Sequence, residues 1–291
     1  MTSAGQWVAG ARPRTLGAAV APVLVGTAVA YHAVGDVIWW RALAALVVAL
    51  ALQVGVNYAN DYSDGVRGTD DARAGPLRLT ASGVAAPAAV RNAAGIALAV
   101  AAVVGLALSL VVDVRLLLVG VAAVAAAVLY TGGPRPYGYV GLGEISVFLF
   151  FGVVATVGST YVQLERIPAA AWWGSVAVGA LACAILLANN VRDVDTDRAA
   201  GKRTLAVRLG ARSARLLYAG GVGASFAAVV AVGASSSWWA LLGLAAIPLA
   251  VRPVRLVLIA TDPPSLVAAL VGTARLELVV ALLLAIGLVV A

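Results

Sequence analysis

Asparagine and aspartate recur at helical spacing in two places. Asn57, Asn60, Asp61 and Asp64, with Asp70 and Asp71 just beyond, form the first group; Asn189, Asp193, Asp195 and Asp197 form the second. Together they hold seven of the chain's 13 acidic residues. Asn57, Asp61 and Asp64 step by four and three, and Asn189, Asp193 and Asp197 by four and four, so each set lines one face of a helix. Carboxylates this dense repel one another and call for a compensating positive charge. An all-oxygen donor set selects a hard cation, Mg²⁺ before Mn²⁺ or Ca²⁺, and Mg²⁺ characteristically bridges carboxylates to substrate phosphates. Arg67, Arg78, Arg135, Lys202 and Arg203 stand nearby to take further phosphate oxygens. The chemistry read from these residues is that of a diphosphate–Mg²⁺ site. Asp71 and Asp195 fall off the helical stripes and read as bystanders.

The elements that must carry these residues are membrane helices. The chain has 291 residues, is 63% hydrophobic and 11% charged, and has a mean hydropathy of +1.00. One soluble core cannot hide that much apolar surface. Apolar runs rich in Ala, Leu and Val without alternation favour helices, which satisfy their own backbone groups in lipid. The spans read as 15–34, 40–60, 90–112, 115–131, 142–162, 173–191, 214–233, 237–251 and 270–290, nine in all. Both acidic groups end a span, where the helix dipole is negative and a bound cation is doubly favoured.

Alternating the loops places 17 of the 20 basic residues on one side and only Arg41, Arg115 and Arg166 on the other. The positive-inside rule makes the rich side cytoplasmic, with the N-terminus and both acidic groups inside and the C-terminus outside. Topology thus explains the net charge of +7 without nucleic acid. The opening residues lack a basic segment and cleavage site, so no signal peptide is expected. Cys183 is the one cysteine and falls within a span, which excludes disulfide and thiol-metal chemistry; His32 reads as interfacial. Gly75-Pro76 and Gly132-Gly133-Pro134 are turn signals. Asn57 and Asp61 match Asn189 and Asp193 at an offset of 132, suggesting one domain built of two related halves, roughly 1–135 and 136–291.

The pair Asn57-x-x-Asn60-Asp61-Tyr-x-Asp64 and Asp193-x-x-x-Asp197, followed by Gly-Lys202-Arg203-Thr204-Leu-Ala-Val-Arg208-Leu-Gly, resembles the UbiA superfamily of intramembrane prenyltransferases. The similarity is nearest to its 1,4-dihydroxy-2-naphthoate polyprenyltransferase branch (MenA) in actinobacterial form. It extends to Gly10-Ala-Arg12-Pro13-Arg14-Thr15-Leu, to Tyr130-Thr131-Gly-Gly-Pro134-x-Pro136-Tyr137-Gly-Tyr139 and to Gly143-Glu144.

The resemblance implies an all-α bundle of nine transmembrane helices around a central cavity, capped by two cytoplasmic motif loops, in the bacterial plasma membrane. Asp61, Asp64 and Asp70 would serve one Mg²⁺ and Asp193 and Asp197 another, with Asn57 and Asn189 in support and Mn²⁺ as a substitute. Asp61, Asp64, Asp193 and Asp197 would be the catalytic set. Arg12, Arg14 and Arg135 are candidates for the acceptor carboxylate, joined by Tyr137 and Tyr139 in the matching string. The implied reaction moves a polyprenyl group from polyprenyl diphosphate to 1,4-dihydroxy-2-naphthoate, releases CO₂ and diphosphate, and gives demethylmenaquinol for menaquinone synthesis. Rivals on the same scaffold use 4-hydroxybenzoate, haem or phosphoribose. A rival of another class is a cation- or proton-coupled transporter, which would set its acids nearer mid-membrane.

Overall fold

A computed structural model describes residues 2–69 and 77–291 of the chain. Asp70, Asp71 and the Gly75-Pro76 turn lie outside the described residues. Among the described residues, eight helices are long and apolar enough to cross a membrane. In chain order, after a short N-terminal helix α1 (Ala4–Gly10), they are α2 (Gly17–Val34), α3 (Trp39–Val66), α4 (Pro87–Val111), α6 (Gly143–Leu164), α7 (Ala169–Arg192), α10 (Ala211–Ser235), α11 (Trp238–Ile259) and α12 (Pro263–Val289). Between α4 and α6 runs a shorter apolar helix, α5 (Leu116–Leu129). Each coincides with one of the nine apolar runs, with edges that differ for local reasons.

The first difference matters most. Helix α3 continues past residue 60 to Val66, so Asp61 and Asp64 are on the helix itself and not in a loop. Helix α7 stops at Arg192; Asp193 caps it at φ −96° and ψ 8°, α8 (Val194–Ala199) follows at once, and a short α9 (Leu205–Leu209) precedes α10. The N–H of Asp197 still donates to the carbonyl of Asp193, at 2.8 Å, so the second stripe survives its one-residue interruption. The last helix starts at Pro263 because Asp262 caps it, its carboxylate accepting from the Ser265 N–H at 2.9 Å.

Packing is uneven across the bundle. Helix α7 is the central element: it packs on α10, α12 and α2, and these share one continuous core including Val25, Leu181, Tyr218, Leu276 and Leu284. Small residues set the close approaches. A Cβ on Gly152 of α6 would lie 2.8 Å from the Cα of Gly179 on α7, nearer than backbone tolerates. Gly152 also belongs to a wide π turn, Phe148–Val154, which sends Phe150, Phe151 and Val154 into the bundle interior. Helices α3 and α4 pair with each other but bury little else, and the space between them, α5, α6 and α2 is left open.

Candidate active site

That open space is a cavity of about 360 Å³, lined mainly by apolar side chains of α2 to α7. At one end it meets a smaller polar chamber of about 120 Å³. Arg12, Asn60, Tyr130, Leu186 and Asn189 line both, so the two chambers share a wall and read as one site with a polar head and an apolar body.

Asp64 and Asp197 bring one carboxylate from each acidic group to the polar chamber, with Arg78, Tyr139, Asn190, Lys202 and Thr204 around them. Asp64 is 3% exposed and Asp197 8% exposed. Lys202 Nζ is 3.2 Å from Asp64 Oδ2, and the Tyr139 hydroxyl donates to Asp64 Oδ1 at 2.5 Å. Lys202 also stands over the Tyr139 ring, 4.6 Å from its centre, with Arg67 at 5.5 Å. Burial first, then the charge of Asp64, pushes the Tyr139 phenol up to about 12, so it remains a proton donor to the carboxylate.

The loop carrying Tyr139 is a short 3₁₀ turn, Tyr137–Val140, pinned from two sides. The Tyr137 hydroxyl donates to the Ala126 carbonyl at 2.8 Å and meets Ser146 Oγ at 2.8 Å. The Arg203 N–H donates to the Tyr139 carbonyl at 2.7 Å. Burial raises the Tyr137 phenol as well. Tyr137 itself faces the apolar chamber.

Arg12 is placed by backbone strain. It adopts φ 56° and ψ 63°, a left-handed conformation that costs a non-glycine residue about 1–3 kcal/mol and concentrates at functional positions. The preceding helix α1 opens with a capping box between Ser3 and Gln6 and docks on α3, where Trp7 meets Tyr58 edge-on at 5.7 Å and accepts its hydroxyl at 2.7 Å. Asn57 Nδ2 then donates to the Ala11 carbonyl at 2.9 Å. Asn57 therefore ties the start of the site to the strained residue and lines the apolar chamber beside it.

Other residues expected from the sequence stand at the edge of this arrangement. Asp61, 1% exposed, accepts from the N–H groups of Leu79 and Thr80, both at 2.8 Å, and so anchors the returning chain that delivers Arg78. Asp193 is gripped by Arg192 Nε and Nη2, each at 2.7 Å, and the same guanidinium donates to Asn189 Oδ1 at 2.8 Å. Neither Asp61 nor Asp193 lines the polar chamber. Arg67 is exposed and spends its guanidinium on the Thr131 and Gly133 carbonyls, at 2.5 Å each. Arg14, Arg135 and Arg203 are exposed and line neither chamber. Asp195 is exposed and pairs with Arg198 at 3.3 Å.

Three amides, Asn60 of the first motif among them, were given no role from the sequence. Asn60 Oδ1 accepts from the Thr131 hydroxyl at 2.8 Å and lines both chambers. Asn190 donates to Glu144 Oε1 at 2.8 Å and lines the polar chamber. Gln53 lies in the apolar chamber, four residues before Asn57. The i+4 continuation of the Asn57 stripe was the available signal for Gln53, and direct adjacency hid Asn60 and Asn190 behind Asp61 and Asn189.

The donor set suits a hard divalent cation. Two carboxylates and the amides of Asn60, Asn189 and Asn190 supply oxygen, while the Lys202 ammonium already marks where positive charge is wanted. Among the described residues no three His, Cys, Asp or Glu side chains converge as a closed metal cage. Mg²⁺ does not require one, since it is usually held by one or two carboxylates and completes its shell with water and substrate phosphates.

Known proteins share both the sequence and this architecture. The chain is 49% identical over 260 residues to a 1,4-dihydroxy-2-naphthoate octaprenyltransferase of Mycobacterium tuberculosis, covering 88% of each chain. It is 38% identical over 298 residues to the protein of that name in Escherichia coli, covering 97% of this chain and 94% of the other. The structure of a UbiA homolog from Archaeoglobus fulgidus bound to GPP and Mg²⁺ superposes with a TM-score of 0.68 at 14% identity, covering 98% of this chain and all of that one (100%). An apo UbiA homolog from Aeropyrum pernix K1 gives 0.68 at 16% identity, over 94% and 97% of the two chains. Residues 19–271 match the UbiA prenyltransferase family, and with nearly full-length relatives of this identity the chain belongs to that family.

Proposed function

We propose that this chain transfers a polyprenyl group from polyprenyl diphosphate to 1,4-dihydroxy-2-naphthoate, with loss of CO₂ and diphosphate, giving demethylmenaquinol. The observation that carries the reading is the joined pair of chambers: a polar end with Asp64, Asp197, Arg78 and Lys202, opening on an apolar body. A diphosphate head and a hydrocarbon tail need those two environments side by side. Family membership leaves the transport reading without support.

Asp64 and Asp197, with Asn60 and Asn189, are the residues that would hold Mg²⁺, or Mn²⁺ in its place, against the diphosphate. Bound there, the cation supplies charge neutralisation to the departing diphosphate. Lys202 and Arg78 face the same chamber and take phosphate oxygens directly. Tyr139 donates its proton to Asp64 and holds that carboxylate in position. Asp61 and Asp193 act from behind, by fixing the Leu79–Thr80 backbone and Arg192.

Arg12, at the shared wall, is placed to hold the acceptor carboxylate beside the leaving diphosphate. The C–O bond to diphosphate breaks to leave an allylic cation, and the 1-hydroxyl pushes electrons onto ring carbon 2, which bonds to that cation. Carbon 2 then carries both the prenyl group and the carboxylate next to a new carbonyl, the hydroxyl proton having been released; as CO₂ leaves, its bonding pair returns to the ring and the C1 oxygen takes up a proton, restoring the aromatic hydroquinol. Apolar walls such as Phe150, Phe151 and Val154 keep water from the allylic cation.

In the membrane, α5 would cross as the ninth span, and the basic loops would place the polar chamber at the cytoplasmic side. The purified chain, given polyprenyl diphosphate, Mg²⁺ and equal 1,4-dihydroxy-2-naphthoate and 4-hydroxybenzoate, is expected to prenylate the naphthoate. Prenylation of the benzoate alone would overturn this acceptor assignment.

A further inference from the structure

One amide oxygen at the wall of the apolar chamber has no hydrogen-bond partner among the described residues. Gln53 lies within α3, is 8% exposed and lines the cavity, yet its Oε1 has no hydrogen-bond partner among the described residues. Three of its polar neighbours on the cavity wall have partners within the protein. Asn57 donates to Ala11, Ser109 donates to the Gly105 carbonyl at 2.7 Å, and Tyr137 bonds Ala126 and Ser146. A buried amide without a partner is costly in such surroundings, and a hydrocarbon tail cannot relieve it. A hydroxyl on a bound ligand can, once the amide turns its oxygen from the wall to the cavity.

Position selects which hydroxyl. Asn57 is bonded to the residue next to Arg12, so it marks the depth of the shared wall. Gln53 is four residues earlier on the same helix face, about 6 Å deeper along the axis. An aromatic ring with its carboxylate at Arg12 spans one helical turn through its meta substituent. In 1,4-dihydroxy-2-naphthoate that substituent is the 4-hydroxyl, which stands meta to the attacked carbon and gives it no electrons.

We propose that Gln53 is a specificity-determining residue for the acceptor, its side-chain amide hydrogen-bonding the 4-hydroxyl. Either end of the amide can face the cavity, and a hydroxyl can meet either, as donor or acceptor. The assignment rests on the acceptor reading given under Proposed function. A site that hydrogen-bonds a substrate hydroxyl rejects the analogue lacking it, because the protein group is then stranded.

The test compares 1,4-dihydroxy-2-naphthoate with 1-hydroxy-2-naphthoate, which keeps the electron-donating hydroxyl and the carboxylate. With the full chain, saturating prenyl diphosphate and Mg²⁺, the wild type should favour the dihydroxy acceptor in kcat/KM by at least about tenfold. Gln53→Met should bring the ratio towards one, with KM for prenyl diphosphate unmoved. A wild type that treats the two acceptors alike overturns the proposal, and this arm does not depend on the variant folding. A Met variant that keeps the wild-type ratio overturns it too, and a drop in thermal stability with the ratio intact would assign Gln53 to packing or a bound water. Failure of the wild type to prenylate either naphthoate contradicts the proposed function itself, and this assignment with it.

Discussion

Lys202 Nζ stands 3.2 Å from Asp64 Oδ2, and this contact joins the end of α3 to the segment that follows α8. Both side chains are nearly buried, at 7% and 5% exposure. The ammonium thus provides the positive charge that Asp64 requires when no cation is bound. Removing one partner of a buried pair strands the other, at a cost of about 3–5 kcal/mol. Lys202→Met should lower the melting temperature, and Mg²⁺ should recover more of that loss in the variant than it adds to the wild type. Equal shifts with Mg²⁺ in both proteins would show that the cation does not reach Asp64.

Asp61 anchors backbone whereas Asp197 lines the polar chamber, and alanine separates the two roles. Asp61→Ala releases the Leu79 and Thr80 N–H groups, each a charge-assisted bond of about 1.5–3 kcal/mol, and should reduce both stability and turnover. Asp197→Ala should cut turnover by at least about 100-fold, the loss of roughly 2.7 kcal/mol of transition-state stabilisation, and its melting temperature should fall less than that of Asp61→Ala. Thermal melts beside product assays decide this. Equal destabilisation by both variants would remove the division between anchoring and chamber-facing carboxylates.

Glu277 lies in the middle of α12, is 0% exposed, and neither of its carboxyl oxygens has a hydrogen-bond partner among the described residues. An apolar side chain of similar volume avoids that desolvation. Glu277→Met should raise stability by about 1–3 kcal/mol in thermal melts, without altering KM for prenyl diphosphate. A destabilised Met variant would mean that the carboxyl is satisfied in the membrane after all.

Between α4 and α5 the Asp113 carboxylate is held well below its usual range, first by the Arg115 side chain and then by the Tyr161 hydroxyl. A depressed folded value means the contribution to stability is present above the unfolded value, about 4, and fades as pH falls through it towards the folded value. Asp113→Asn should therefore melt with a shallower acid-side slope than the wild type below about pH 4. Parallel curves would show that this turn carries no pH-dependent stability.

Much of this architecture was legible in the sequence, because helix periodicity and span length are local properties. All nine apolar runs became helices, and the i+3 and i+4 steps put Asp64 and Asp197 into one chamber. What the sequence withheld was set by chain return. Nothing near Asp61 says that Leu79 and Thr80 will fold back onto it, or that Arg67 will turn to the Thr131 and Gly133 carbonyls. Arg14, Arg135 and Arg203 share the motifs' charge but not the chamber, since loop arginines answer first to membrane sidedness. Gln53 was hidden for the opposite reason: an amide inside an apolar run gives no composition signal, its i+4 step to Asn57 is a weak local clue, and the cavity shows what it lines.

The most direct measurement follows carboxyl-labelled 1,4-dihydroxy-2-naphthoate with polyprenyl diphosphate and the purified chain. CO₂ and diphosphate should appear in equal amounts with prenylated product, stop on addition of EDTA, and resume with Mg²⁺. A prenylated product that keeps its carboxylate, or turnover indifferent to EDTA, would contradict the account.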